Sequence, residues 1–190
     1  MNYKEHPFYE TPLSSESIYE GRVLHLFRDE VELSDSSRAF REVIRHNGAV
    51  CVLPLTESGE VACVTQYRHA IGRLTLELPA GKLDSKQEDP LLAARRELRE
   101  ETGYECDKMT YLGSMHGSPA ILDEEIRLYL ATGLHRGEAT PDEGELLSVV
   151  HVPLEQLAEK VMKGEITDAK TQIAALKVYF NRNIYKGEEK

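Results

Sequence analysis

The chain has 190 residues, 41% of them hydrophobic and 29% charged, which suits one soluble globular domain with a full core and is short for two. A formal charge of −10 argues against a nucleic-acid backbone or an anionic membrane as the main partner, since both require a basic surface. No apolar run approaches the roughly 18 residues of a membrane span, residues 1–19 are too polar for a signal peptide, and three cysteines with no C-x-x-C pair read as buried thiols of a reducing, cytoplasmic compartment.

Two alternating runs, GRVLHLFRDEVEL and RAFREVIRH, are parted by the turn-rich Ser34-Asp35-Ser36-Ser37 and predict an antiparallel hairpin or meander within residues 20–45. Residues 1–45 are read as an N-terminal strand region and 46–190 as the main domain. Strands over 50–55 and 61–67 flank Glu57-Ser58-Gly59 and predict a second hairpin. A short strand follows at 74–78. A helix over 90–102 is well marked: Asp89 can cap it, Pro90 suits its first turn, and Gly103 fits the left-handed stop. Strands are predicted at 109–115, 126–131 and 146–152, then helices at 154–163, ended by Gly164, and at about 168–181.

The helix over 90–102 carries negative charge at the wrong end. At about 100° per residue, Glu97, Glu100 and Glu101 share one arc, beside an apolar stripe of Leu91, Ala94 and Leu98. Glu97 and Glu101 stand at i, i+4, where like charges repel by about 0.2–0.5 kcal/mol, and both sit at the negative end of the helix dipole. Arg96 and Arg99 offset part of this. Three clustered glutamates in an arbitrary helix are more often a solvated acidic face. The alternative is a platform for Mg2+, which takes oxygen ligands and combines one or two carboxylates with substrate phosphates.

Spacing favours the second reading. From Glu88, seven residues lead to Arg96 and then to Arg-Glu-Leu-Arg-Glu-Glu-Thr-Gly-Tyr, a run that resembles the Nudix box G-x5-E-x7-R-E-U-x-E-E-x-G-U. The departure is at the front, where six residues rather than five separate Gly81 from Glu88. The resemblance extends over most of the chain and is to the ADP-ribose pyrophosphatase branch. Glu77-Leu78-Pro79-Ala80-Gly81 is similar to its E-[IL]-P-A-G entry, Gln66-Tyr67-Arg68 to its Q-[YF]-R strand end, and SPAILDEEIRLYLA from Ser118 to its S-P-G-F-x-D-E loop, with Ala120, Ile121 and Leu122 in place of Gly-Phe-polar. Glu165-Ile166-Thr167-Asp168-Ala169-Lys170-Thr171 is similar to the start of its C-terminal helix.

The resemblance implies an α/β fold: a Nudix-type α/β/α sandwich around a mixed β-sheet, with an additional N-terminal antiparallel β region. It implies metal ligation by Glu97, Glu100, Glu101 and the backbone carbonyl of Ala80, and catalytic roles for Glu100, Arg96 and Glu124, the last assisting the attacking water with Glu125 as its rival. Arg68 and Glu77 are the implied substrate contacts, while Gly81, read from its place before the helix, is either a plain loop glycine or a point of close backbone approach to the diphosphate of a substrate. Glu42 would reach the adenine site of a second subunit, in a homodimer built through the N-terminal strands. The implied reaction is magnesium-dependent hydrolysis of ADP-ribose to AMP and ribose 5-phosphate, with manganese as a substitute metal. Two alternatives stay open: another nucleoside diphosphate sugar, of the GDP-mannose or UDP-glucose type, and a non-catalytic module that binds ADP-ribose. The remaining residues have plainer readings: His46, His69 and His116 as loop or strand-end residues, Arg68 as a surface ion pair, and Glu77 as a partner of Arg73.

Overall fold

A computed structural model describes residues 3–137 and 146–186. Two compact units divide the chain, one of residues 1–47 and 116–124, the other of 48–115 and 125–190.

The first unit is an antiparallel sheet of β1 (Thr11–Glu20), β2 (His25–Glu32) and β3 (Arg38–Ile44) in that order. β2 and β3 form the expected hairpin, with Leu26 opposite Ile44 and Glu32 opposite Arg38. The sequence did not announce β1. All ten of its residues are exposed, so no buried face imposes an alternating pattern, and two register shifts interrupt its pairing with β2. The segment 116–124 joins this unit through Ile44 N–H donating to the Ile121 carbonyl (2.7 Å) and Asp123 N–H to the Ile44 carbonyl (3.1 Å).

The second unit holds two sheets. β4 (Ala49–Pro54), β7 (Ala80–Lys82), β8 (Tyr104–Met115) and β9 (Ile126–Arg136) form a mixed sheet in the order β7-β4-β9-β8, in which β4 and β9 run parallel. β5 (Glu60–Arg68), β6 (Arg73–Glu77) and β10 (Leu147–Pro153) form an antiparallel sheet in the order β10-β5-β6. The hairpin expected between β4 and β5 is reduced to one bridge, Leu55 with Val61. Both edges of β4 are taken by β7 and β9, and both edges of β5 by β10 and β6, so the two strands part after the turn.

Period-two alternation on β4 feeds two cores. Cys51 and Leu53 pack with Val61, Leu128, Leu157 and Val178, whereas Val50 and Val52 pack with Ala93, Ala94 and Leu98. The first core is closed by α2 (Leu154–Met162) and α3 (Ala169–Lys186), the second by α1 (Pro90–Thr102). This is the helix-sheet-helix layering expected. α3 leaves helical geometry at Asn181 (φ −108°, ψ 15°). All three cysteines are buried and free, and burial pushes the Cys63 thiol up to about 12. No helix among the described residues is long and apolar enough to cross a membrane.

Candidate active site

α1 begins and ends as its residues dictate. Asp89 accepts from Leu91 N–H at 2.8 Å, Pro90 occupies the first turn, and Gly103 (φ 70°) closes the helix by donating to the Arg99 carbonyl at 2.8 Å. The buried face differs from the expected stripe: Leu91 is exposed, and the inward positions are Ala93, Ala94, Glu97, Leu98 and Glu101. Two carboxylates are thus part of the packed face, Glu97 at 8% and Glu101 at 6% exposure. They face β7, whose residues 80–82 pair with β4 through Cys51–Ala80, Val50–Gly81 and Ala49–Lys82.

Gly81 is required here for space. A Cβ at this position would lie 2.1 Å from the Glu97 carboxyl carbon, so the carboxylate fills the room a side chain would take. Ala80 N–H donates to Glu101 Oε2 at 3.3 Å. Arg96 knits the remaining acids: Nη1 donates to Glu97 Oε1 (2.6 Å) and Glu100 Oε2 (3.0 Å), and Nη2 to Glu88 Oε1 (3.3 Å). Burial opposes the charge on Arg96, but these three carboxylates outweigh it and raise its pKa. The extra residue before Glu88 is absorbed in a turn, in which Glu88 N–H donates to the Ser85 carbonyl (3.2 Å) and Glu88 Oε2 accepts from Asp84 N–H (2.6 Å). Glu88 therefore still meets Arg96.

A second cluster gathers on the β5–β6 hairpin. Pairing sets Val64 opposite Glu77 and Gln66 opposite Thr75, so Arg68, Thr75 and Glu77 share one face. Arg68 donates to Glu77 through Nε (2.8 Å) and Nη2 (2.7 Å), Thr75 Oγ1 donates at 2.6 Å, and Lys170 Nζ donates at 2.5 Å. Glu77 does not pair with Arg73, whose Nη2 donates to Thr167 Oγ1 instead. Burial acts to raise the Glu77 pKa, yet Arg68, Lys170 and Thr75 hold it down at about 2. Lys170 and Asp168 had no assigned role in the sequence reading; the one signal for them was the resemblance of that segment to a helix start. Asp168 caps α3, accepting from Thr171 N–H (3.0 Å), and also accepts from Lys170 Nζ (2.8 Å). These residues, with Arg68, Thr75 and Glu77, line a cleft of about 280 Å³. A larger one of about 440 Å³ lies along α1 beside Arg95, Arg99 and Glu105, and of the expected site residues it includes only Arg96. Its size alone gives it no chemistry, and the convergent polar groups sit in the smaller cleft.

Glu42 and Glu124 belong to the other unit. Glu42 is exposed on β3, opposite Arg28. Glu124 Oε1 lies 3.3 Å from His46 Nδ1, and its carbonyl is 2.9 Å from His116 Nδ1, so two histidines read as loop residues flank the expected base. Glu125 pairs with Arg127 at 2.7 Å.

Among the described residues no three Asp, Glu, His or Cys side chains converge on one point that could hold a metal ion. The donor chemistry nevertheless fits a hard cation: the side chains crowded at the end of α1 offer carboxylate oxygens, and two of them already bind a cationic group, the Arg96 guanidinium.

An acidic helix terminus thus lies against a glycine-bearing strand, inside helix-sheet-helix layers. Residues 45–173 match the NUDIX domain, and the chain belongs to the Nudix hydrolase family. It is 42% identical over 169 residues to the methanol dehydrogenase activator of Bacillus methanolicus, covering 88% of this chain and 91% of that one. It is 39% identical over 167 residues to the ADP-ribose pyrophosphatase of Bacillus subtilis (strain 168), covering 87% and 90%. A crystal structure of an ADP compounds hydrolase shares the fold, with a TM-score of 0.81 at 24% identity over 95% of this chain and 96% of that one.

Proposed function

We propose that this enzyme hydrolyses ADP-ribose to AMP and ribose 5-phosphate in the cytoplasm, with Mg2+ as cofactor. The observation that carries the reading is the burial of Glu97 and Glu101 against Ala80 and Gly81, in a chain 39% identical to an ADP-ribose pyrophosphatase. Glu97, Glu100, Glu101 and the Ala80 carbonyl would hold the metal, which when bound neutralises charge on the diphosphate and activates water. Arg96 orients Glu97 and Glu100 through the hydrogen bonds of its Nη1. Gly81 leaves the backbone open to close approach. Arg68, anchored by Glu77, presents its remaining donors to the substrate. Glu124, beside His46, accepts a proton as water adds across the diphosphate and the P–O bond to the departing phosphate breaks. In-line attack on a diphosphate needs positioning and charge stabilisation rather than a covalent protein intermediate.

The exposed β1–β3 sheet, with Leu13, Ile18, Tyr19 and Phe40 each at least 42% exposed, supports a homodimer through the N-terminal strands, with Glu42 serving the second subunit's adenine site. The test is product analysis with ADP-ribose, GDP-mannose and UDP-glucose, with and without Mg2+. Equimolar AMP and ribose 5-phosphate, formed only with metal and fastest for ADP-ribose, is the expected result. Faster release from GDP-mannose would reassign the substrate, and tight ADP-ribose binding without any product would overturn the reaction.

A further inference from the structure

Glu77 sits between two cations. On the outer side is Arg68, with a side chain 42% exposed; on the inner side is Lys170, at 13%. The bidentate contact uses two of the five guanidinium donors of Arg68 and leaves three for the cleft. The direction in which Arg68 presents them is therefore fixed by where the Glu77 carboxylate lies, and that carboxylate is itself gripped by Lys170.

Lys170 is poorly placed for helix stability. It lies in the first turn of α3, where the helix dipole disfavours a positive charge, and it is largely withdrawn from solvent, which also disfavours charge. Its ammonium bridges Glu77 Oε2 at 2.5 Å and Asp168 Oδ1 at 2.8 Å. The next residue, Thr171, is fully buried; its hydroxyl donates to Asp168 Oδ2 and accepts from Leu78 N–H at 2.9 Å. Side chains at the start of α3 thus hold both Glu77 and the backbone that leads into Pro79, Ala80 and Gly81.

We propose that Lys170 is a positioning residue, which fixes the Glu77 carboxylate and through it aims the Arg68 guanidinium at the substrate. The proposal rests on the assignment of Arg68 to substrate binding made above. The other charged or titratable groups around Glu77 are Asp168 at the head of α3, Glu101 of α1 and Cys51 of β4. Without the ammonium, the carboxylates of Glu77 and Asp168 face each other with no cation between them, and Arg68 follows Glu77 as it moves.

The experiment compares wild type with Lys170→Met, Lys170→Gln and Lys170→Arg, using two readouts. The first is solvent exchange of the Arg68 Nε–H by 15N NMR, which needs no substrate. Exchange should accelerate about tenfold or more in the Met and Gln variants and return toward wild type in the Arg variant. The second is steady-state hydrolysis of ADP-ribose, in which KM should rise about tenfold with kcat within about threefold, because binding common to ground and transition states is lost. Slow Arg68 exchange in a folded Met or Gln variant overturns the positioning role whatever the substrate. Accelerated exchange in a protein whose wild type releases no AMP keeps the role and sinks the substrate assignment instead. A unchanged KM beside accelerated exchange removes the link to the substrate and overturns the proposal.

Discussion

Replacing Gly81 with alanine tests the close approach at the centre of the site. The added Cβ would stand 2.1 Å from both the carboxyl carbon and Oε1 of Glu97, where ordinary contact begins at 3.4 Å. Glu97 must therefore retreat by roughly 1.3 Å, or β7 must move away from α1. Gly81 is not among the glycines with positive φ, so alanine meets no backbone strain and the whole effect is steric. The carboxylate is the far end of a flexible side chain, and the fold should survive with a loss of about 1–3 kcal/mol. Activity should suffer more. A displacement near 1 Å in a group that must be held in place costs about a hundredfold in rate, equivalent to about 2.7 kcal/mol of activation free energy. The assay is kcat for AMP release, with urea unfolding of the same preparation. A folded Gly81→Ala enzyme with wild-type kcat refutes the idea that Glu97 needs its place against the glycine.

Gly103→Ala is the contrasting case: the left-handed stop (φ 70°) should cost about 1–2 kcal/mol in stability, and kcat at a temperature where the protein stays folded should be unchanged. For Glu77, whose pKa is lowered from 4.5 to about 2, the ionised form stabilises the fold above pH 4.5 and this stabilisation is lost as pH falls through 2. It should amount to about 3 kcal/mol, so urea unfolding of wild type between pH 5 and pH 2.5 should show a slope that is shallower in Glu77→Gln. Equal slopes would contradict the ionised pair. Glu124→Gln should lower kcat by about 10²–10⁴ with KM little changed, and Glu125→Gln should stay near wild type. The reverse ranking would make Glu125 the base.

α1 was legible almost to the residue, because its cap, its first-turn proline and its terminal glycine are local signals that tertiary packing reinforced. The acidic cluster was equally plain, although the sequence could not tell that Glu97 and Glu101 take the place of apolar residues on the buried face while Leu91 faces outward. Strand existence was legible where the apolar residues are buried, as in β4 and the first half of β5. It failed at β1, which has no buried face to impose alternation. Pairing was the weakest inference: a turn at residues 56–60 resembles a hairpin in either arrangement, and only the competition of β7, β9, β6 and β10 for the strand edges sends β4 and β5 into separate sheets. Lys170 stayed invisible for a related reason. Its partner Glu77 is 93 residues away, and no periodicity links them.

That separation along the chain has a consequence for how the enzyme comes into being. A ribosome releases the whole of α1 and its acid-rich terminus long before it makes Asp168, Lys170 and Thr171. Until those three emerge, Leu78 N–H lacks the Thr171 hydroxyl and Glu77 lacks its inner cation. On the proposed role of Lys170, catalytic competence is deferred to a late stage of synthesis, and a nascent fragment that already holds every box glutamate is expected to be a poor hydrolase.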